Sequence, residues 1–140
     1  MSTVVVFDTD VLSFVLRRSP PAGLIRRLAS LPPEAQATTS ITVAELVYGA
    51  HRTADPTRLL QAMRELLWPN LRVLAFDAEA AHIHGRLRAD LEAAGTCVSE
   101  PDLRIASICL RHGARLATGN LRHFKSVPGL QVDDWLSAHR

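Results

Sequence analysis

The stretch Val4-Val5-Val6-Phe7-Asp8-Thr9-Asp10 decides the fold. Its four consecutive apolar residues, three of them β-branched, predict a short strand that is buried on both faces, as in a parallel sheet. Asp8 falls where this strand ends, and Asp10 opens a helical segment that runs to about Arg17. Because ligands of open parallel sheets bind just outside the carboxyl ends of the strands, Asp8 is a candidate site residue.

Outward from this strand, the chain alternates between helical and strand-like segments. The predicted helices cover about 21–31, 40–49, 56–67, 78–94 and 100–112, and the predicted strands cover 37–39, 71–76, 114–118 and, at one edge, 130–132. Strands that alternate with helices predict an α/β fold with three α/β/α layers and a mainly parallel central sheet. With 140 residues, we expect residues 1–140 to form a single domain with a sizeable core.

The composition is that of an ordinary globular protein, with 47% hydrophobic and 21% charged residues. No apolar run approaches the length of a membrane span, and the N-terminus lacks the features of a signal peptide, so we expect a cytoplasmic protein without membrane association. Cys97 and Cys109 have no metal-ligand spacing and are expected to be reduced thiols. The formal charge of +2 does not by itself indicate nucleic-acid binding.

Three carboxylates stand out by position. Asp8 ends the first strand, and Glu45 lies in the first turns of the helix after the second strand, on a face shared with Tyr48 and Gly49 that we expect to point inward. Asp102 occupies a helical face whose other members are apolar, namely Ile105, Ala106 and Cys109. Acids on inward faces are costly unless they are paired or bind a metal. The pattern therefore marks all three as candidates for a shared site.

Each of these acids also fits a purely structural role. The segments 42–45 and 99–102 have the spacing of a capping box, in which the acid satisfies backbone N–H groups at a helix start. Asp8 has the position to cap the helix that begins near Asp10. Spacing alone does not decide between capping and chemistry. The functional interpretation gains weight because all three acids fall at ends where a parallel sheet gathers its ligand site.

Electrostatics limits what three such acids can do together. Three ionised carboxylates about 5 Å apart would repel by roughly 3 kcal/mol per pair at an effective dielectric constant near 20. The sum, on the order of 10 kcal/mol, rivals the stability of a whole domain, so the cluster must take up protons or bind a cation. Oxygen ligands alone favour Mg²⁺ or Mn²⁺ over zinc. A hard cation that activates water suits hydrolysis of a phosphodiester.

At this point the residues resemble a known family. Four segments carry the resemblance, in this order along the chain: 8–12, 39–49, 102–114 and 116–124. Together they look like the PIN-domain ribonucleases, and within these the chain is most similar to the VapC toxins of bacterial toxin–antitoxin pairs. The resemblance implies an endoribonuclease that hydrolyses RNA with metal-activated water. It also implies Mg²⁺ as cofactor with Mn²⁺ as a substitute, a cognate antitoxin as partner, and a homodimer that forms a heterotetramer or larger complex with it.

The resemblance also assigns roles to individual residues. It implies that Asp8, Glu45 and Asp102 are the catalytic acids and metal ligands. It implies that the site is lined by three hydroxyl residues: Thr9, Ser40 and Thr118. Asn120 belongs to the catalytic group at its margin, because it stands where many members carry a further acid. An amide offers a neutral oxygen and no charge, which leaves the number of metal ions open. The role of Asp10 is open as well.

Two other functions remain as alternatives. The segment 8–11 also fits the opening motif of haloacid-dehalogenase-type phosphatases, with Asp8 as nucleophile and Asp10 as acid. That family needs a lysine upstream of a paired-Asp loop, whereas the only lysine here is Lys125 and Asp133-Asp134 follows it closely. The second alternative is a PIN-like binding module without catalytic turnover, which the neutral Asn120 favours and the three acids oppose.

Overall fold

The computed structural model describes residues 3–139, and its centre is a five-stranded sheet. The strands are β1 (Val5–Phe7), β2 (Gln36–Thr39), β3 (Arg72–Leu74), β4 (Arg115–Thr118) and β5 (Val132–Asp134). They lie in the order β3-β2-β1-β4-β5, and every neighbouring pair is parallel. The predicted parallel α/β sheet is confirmed.

Seven α-helices connect and cover these strands within residues 3–139. They are α1 (Thr9–Val15), α2 (Ala22–Ala29), α3 (Ser40–His51), α4 (Pro56–Ala62), α5 (Ala78–Ala93), α6 (Glu100–His112) and α7 (Leu121–Phe124). The segment 56–67, predicted as one helix, is α4 continued by a π-helical turn over Met63–Leu67. The helix begins at Pro56 as predicted, because a missing N–H is harmless in the first turn. No helix within residues 3–139 combines the length and apolar character needed to cross a bilayer.

The sheet separates two hydrophobic cores. Val6 belongs to the core under α5 and α6, whereas Val5 and Phe7 belong to the core under α1 to α4. Alternate residues of β1 thus face opposite layers, as the pleat of a strand requires. Val6 and Phe7 are fully buried, which confirms the prediction of a strand covered on both faces. The helices on both sides complete the three α/β/α layers.

The order of the strands places a crevice at the carboxyl end of β1. From β1 the chain passes through α1 and α2 to β2 on one side, and it returns later through α5 and α6 to β4 on the other side. The loops after β1 and β4 therefore diverge at the same edge of the sheet. This reversal of strand order is where doubly wound sheets form their ligand sites.

The edge strand β5 lies two residues later than predicted. Gly129 turns the chain with a φ of 78°, and the N–H of Leu116 then bonds the carbonyl of Gln131. The strand follows from Val132, although its next two residues are acidic. An acid is tolerated at an edge, and here Asp133 is paired with the Arg115 guanidinium of β4.

The predicted inward face of α3 is wrong. Its buried residues are Thr42, Leu46 and Ala50, whereas Tyr48 is 63% exposed. The helix starts directly after β2, where the Thr39 hydroxyl caps it by accepting from the N–H of Thr42. This cap fixes the rotation of α3. It also removes the proposed capping box over 42–45, because Thr42 already lies inside the helix.

The helix α6 agrees with its predicted inward face. Its buried set includes the three apolar residues that share a face with Asp102, namely Ile105, Ala106 and Cys109. The Ser99 hydroxyl caps the helix by accepting from the N–H of Asp102 at 3.4 Å. Asp102 is therefore held in the first turn by its backbone, and its carboxylate takes no part in this cap.

Candidate active site

Asp8 is the buried centre of the site, with only 6% of its surface exposed. Its backbone N–H extends the β1–β4 ladder by donating to the carbonyl of Ala117 at 2.9 Å. One carboxylate oxygen, Oδ1, accepts from the N–H of Thr9 at 2.7 Å. The other, Oδ2, accepts from the Thr118 hydroxyl, Oγ1, at 2.8 Å. Asp8 thus caps α1, as the structural interpretation predicts, and also connects the ends of β1 and β4.

Glu45 reaches the same region from α3. Its Oε1 accepts a hydrogen bond from the Thr9 hydroxyl, Oγ1, at 2.8 Å. Thr9 therefore binds both acids, since its N–H donates to Asp8 and its hydroxyl donates to Glu45. A single residue at the start of α1 links two acids that are far apart in the chain.

Asp10 forms a second connection between the β1 and β4 loops. Its Oδ1 accepts from the N–H of Val11, and its Oδ2 accepts from the N–H of Gly119 and from the Asn120 side-chain amide, all within 3.0 Å. Asn120 also donates its backbone N–H to the Thr118 hydroxyl at 3.0 Å. The amide of Asn120 therefore acts as a donor to Asp10.

Asp102 closes the other side of the site from the start of α6. Its carboxylate Oδ2 lies 3.2 Å from Nδ1 of His123 on α7, and its side chain is 21% exposed. This contact joins α6 to the segment that follows β4. The ring nitrogen donates to the carboxylate when it carries a proton.

All of these acids line one cavity of about 460 Å³. Its walls include the acids and their partners together with residues of α1: Asp8, Thr9, Asp10, Ser13, Phe14, Arg17, Glu45, Ser99, Pro101, Asp102, Asn120 and His123. Thr118 supports this cavity through its bond to Asp8. Ser40 lies outside its walls, because its hydroxyl accepts from the N–H of Phe76 at 3.2 Å. We refer to this space as the acidic cavity.

Burial and neighbouring charge raise the pKa of Asp8 from 3.8 to about 7. Loss of solvation is the largest cause, and the charge of Asp10 is the next. The N–H of Thr9 and the hydroxyl of Thr118 act in the opposite direction, because both stabilise the ionised carboxylate. The more distant charge of Asp102 adds a smaller upward effect. Among residues 3–139, the ionised form of Asp8 therefore lacks a compensating cation.

The donor set fits a hard divalent cation in its chemistry. The acidic cavity offers carboxylate oxygens, hydroxyl groups and an amide, which are the ligands that Mg²⁺ and Mn²⁺ prefer. Within residues 3–139, however, no group of three or more Asp, Glu, His or Cys side chains already stands in an arrangement that would hold a metal.

The structure adds residues that the sequence does not assign to the site. Sequence reasoning leaves the role of Asp10 open and gives none to His123, yet both contact residues of the acidic cavity. Phe14 and Arg17 also line the cavity. Both lie on α1 or just after it, at helical spacing from Asp10, and this spacing is a signal that could have revealed them.

Comparison with known proteins agrees with this geometry. The PIN domain family model matches residues 5–130. The tRNA(fMet)-specific endonuclease VapC of Salmonella typhimurium is 34% identical over 130 residues, which cover 93% of this chain and 96% of that protein.

Two solved structures show the same fold. The DNA-bound VapBC structure from Salmonella typhimurium superposes with a TM-score of 0.87 at 33% identity, over 96% of this chain and 99% of that one. VapBC2 from Rickettsia felis, bound to a DNA fragment from its promoter, also gives a TM-score of 0.87, at 27% identity and over 94% and 98% of the two chains. Since the family model spans most of the chain and the relatives align over nearly their whole length, this chain belongs to the PIN-domain family and, within it, to the VapC proteins.

Proposed function

We propose that this protein is a metal-dependent endoribonuclease and the toxin of a toxin–antitoxin pair. The observation that carries the proposal is the acidic cavity, where Asp8, Asp10, Glu45 and Asp102 meet at the carboxyl end of a parallel sheet. Relatives named as VapC endonucleases and ribonucleases support an RNA substrate. Residues 1–140 act as one PIN domain in this proposal.

The metal ligands in this proposal are Asp8, Glu45 and Asp102. A bound Mg²⁺, or Mn²⁺ in its place, supplies an activated water and offsets negative charge on the scissile phosphate. Glu45 and Asp102 each use one oxygen in their present contact, Glu45 Oε1 with Thr9 and Asp102 Oδ2 with His123. Their second oxygens would hold the cation while Thr9 and His123 orient the carboxylates.

The neighbouring residues hold these acids in place. The N–H of Thr9 and the hydroxyl of Thr118 each bind one oxygen of Asp8, which fixes the plane of the carboxylate. Asn120 acts through Asp10, whose charge raises the pKa of Asp8. His123 positions Asp102 and can hold a proton at Nδ1. Ser40 has a structural role instead, because it ties the start of α3 to Phe76.

The partners in this proposal follow from the relatives. The solved complexes that resemble this chain include three VapBC assemblies, two of them with DNA. We therefore propose a cognate antitoxin as partner. The homodimeric toxin and the heterotetrameric or larger complex stay predictions from the family resemblance. We also propose that this activity takes place in the cytoplasm, where the proposed RNA substrate is found.

The phosphatase alternative lacks its second acidic loop. Asp133 is paired with Arg115, and Asp134 accepts from the N–H groups of Leu136 and Ser137, so both acids serve the end of β5. Neither lines the acidic cavity. Membership of the PIN family also argues against it.

The test is metal-dependent cleavage of RNA by the purified protein. Total RNA is incubated with the protein in EDTA, Mg²⁺, Mn²⁺ or Ca²⁺, and new 5′ ends are mapped. We expect defined cleavage with Mg²⁺ and Mn²⁺ and none in EDTA. The variants Glu45→Gln and Asp102→Asn should lose it, and Glu79→Gln, on an exposed acid of α5 outside the acidic cavity, should retain it. Cleavage that persists in EDTA would contradict the proposal, and binding of RNA without cleavage in every metal would favour the binding module.

A further inference from the structure

A second cavity, of about 280 Å³, adjoins the acidic cavity between α1, α3 and α4. The two cavities share four wall residues: Thr9, Ser13, Arg17 and Glu45. We refer to the second space as the side cavity. Thr9 and Glu45 belong to the walls of both cavities. A molecule in the side cavity therefore lies directly beside the candidate catalytic acids.

The interior of the side cavity is apolar. Its walls include five aliphatic side chains, namely Leu16, Leu46, Ala50, Leu59 and Met63. Four of these are buried in the core under α1 to α4. Such a surface favours an apolar group, such as the face of a base, over an ion or a sugar.

Two arginines, Arg17 and Arg58, also line the side cavity. Arg17 stacks on the ring of Phe14, with its guanidinium carbon 3.5 Å from the ring centre. Across residues 3–139, neither arginine has an ion pair with a carboxylate. Both arginines therefore lack an anionic partner in that part of the chain. Planar guanidinium groups are well suited to bind phosphate.

We propose that the side cavity binds one nucleotide of a single-stranded RNA, next to the phosphodiester that lies in the acidic cavity. The base enters the apolar interior, and Arg17 and Arg58 contact the phosphates on either side of it. This inference rests on the proposed function, since it assigns a subsite to the same substrate. A polyanion that crosses an acidic cavity needs cations beside it, and the side cavity supplies two of them.

An acidic protein segment is the other occupant to consider. RNA is favoured because its repeating unit combines an apolar base with a phosphate, which matches apolar walls together with two arginines. Because Thr9 and Glu45 belong to both cavities, the occupant of the side cavity also lies next to the candidate acids. Binding of a protein in place of RNA is one of the outcomes of the test below.

Gly49 provides a way to fill the side cavity without disturbing the fold. It lies on α3 in the cavity wall, and a Cβ added there meets no atom within 4 Å. Gly85 on α5 has equally open surroundings and lies outside both cavities. Gly49→Phe and Gly85→Phe therefore form a matched pair, in which Gly85→Phe also controls for the change in helix propensity.

The first experiment measures binding and cleavage of one short fluorescein-labelled single-stranded RNA that contains a mapped cleavage site. Binding is measured by anisotropy in an Asp8→Asn background, and cleavage is measured in the parent protein. We expect Gly49→Phe to weaken binding and to raise KM by roughly tenfold or more, because the added ring occupies the space of the base and removes its apolar contacts. Gly85→Phe should stay within about twofold of the parent, and thermal melting should show both variants folded.

The second experiment tests the arginines by salt dependence. Arg17→Ala and Arg58→Ala should each weaken binding of the same RNA. Each should also reduce the slope of log Kd against log salt by about 0.7 for every phosphate that the variant no longer neutralises. Arg86→Ala, on an exposed arginine of α5, serves as control and should leave the slope unchanged.

The outcomes separate the inference from the proposed function. If the parent protein cleaves RNA and Gly49→Phe binds and cleaves it equally well, the side cavity is not a nucleotide subsite. If Gly49→Phe leaves RNA binding intact but abolishes binding of a co-expressed antitoxin, the occupant is protein and the inference is overturned. If the parent protein neither binds nor cleaves RNA, the proposed function fails and this inference fails with it.

Discussion

Two carboxylates of the same sheet have opposite surroundings. Asp133 in β5 receives two hydrogen bonds from the Arg115 guanidinium, at 2.8 and 2.9 Å, and this pairing lowers the pKa of Asp133. Asp8 at the end of β1 is bound by neutral donors and lies near the charge of Asp10, and its pKa rises to about 7. Within residues 3–139, one acid has its counter-charge in the chain and the other does not.

The contrast separates a structural acid from a functional one. Both acids lie in or directly after a strand of the same parallel sheet, so membership of the sheet alone does not distinguish them. The presence of a cationic side chain does, because Arg115 makes the ionised form of Asp133 favourable. An acid whose charge is left uncompensated in a cavity is available to a cation from solution.

The largest expected effect concerns activity. Asp8→Asn should reduce RNA cleavage by roughly 100-fold or more, because it removes a charged ligand from the proposed metal site. Asp133→Asn should change the cleavage rate by less than about twofold, since Asp133 lies outside the acidic cavity. Initial rates on one labelled RNA at saturating Mg²⁺ measure both. Equal losses in the two variants would remove the distinction between the acids.

The next effect concerns the stability of the metal-free protein. Because the pKa of Asp8 is raised in the folded state, from 3.8 to about 7, its protonated form stabilises folding below about pH 4. That contribution is lost as the pH rises through about 7. The shift corresponds to a loss on the order of 4 kcal/mol. Urea unfolding in EDTA should show this decline in the parent protein and a flatter profile in Asp8→Asn.

Metal should reverse the decline. Addition of Mg²⁺ at pH 8 should raise the urea midpoint of the parent protein, because a ligand that binds only the folded state stabilises it. Asp8→Asn should respond less to Mg²⁺ than the parent does. A parent protein with the same midpoint at pH 5 and pH 8 in EDTA would show that the charge of Asp8 is already compensated within the chain.

A smaller effect is expected at Asp10. Its charge is the second cause of the raised pKa of Asp8, so Asp10→Asn should move the pH-dependent loss of stability in EDTA to lower pH. The midpoint of the profile, compared with that of the parent, measures the shift. Asp55→Asn, on an exposed acid ahead of α4, is the control and should leave the midpoint in place.

The smallest expected effect concerns Asp133, whose contribution to stability has the opposite pH dependence to that of Asp8. The pKa of Asp133 is lowered by Arg115, so the pair stabilises folding above the unfolded pKa and loses this contribution as the pH falls through the folded value. Asp133→Asn should lower the melting temperature at pH 7 by roughly 1 to 4 °C, since the pair is partly exposed. The difference from the parent should vanish well below pH 3.8, the ordinary pKa of the carboxyl, once the folded protein is protonated as well.

Local sequence predicts the elements that its own residues determine. The run Val4–Phe7 is apolar throughout, so a strand covered on both faces follows from composition, and Asp8 follows from its end. The helix α6 is predictable together with its buried face because Ser99, Pro101 and Gly113 mark its two ends. These features depend on neighbours in the chain, which the sequence displays.

Contacts between distant elements cannot be predicted from local sequence. The bond from Asn120 to Asp10 joins loops 110 positions apart, and no periodicity or charge pattern records it. The rotation of α3 escapes prediction because the Thr39 cap, and not the apolar spacing, sets which residues meet the sheet. The strand β5 is not predictable from its own residues because two of them, Asp133 and Asp134, are acidic. Their partners are a side chain on β4 and the backbone beyond the strand.

The hydrogen bond between Thr118 and Asp8 spans 110 positions of the chain, and this distance has a consequence for synthesis. A ribosome that adds roughly 5 to 20 residues per second needs about 5 to 20 seconds to reach Thr118 after it has made Asp8. Until β4 is made, the nascent chain has no Thr118 to bind Asp8 and no strand to pair with β1 on that side. The acidic cavity is therefore assembled only when most of the chain has been translated.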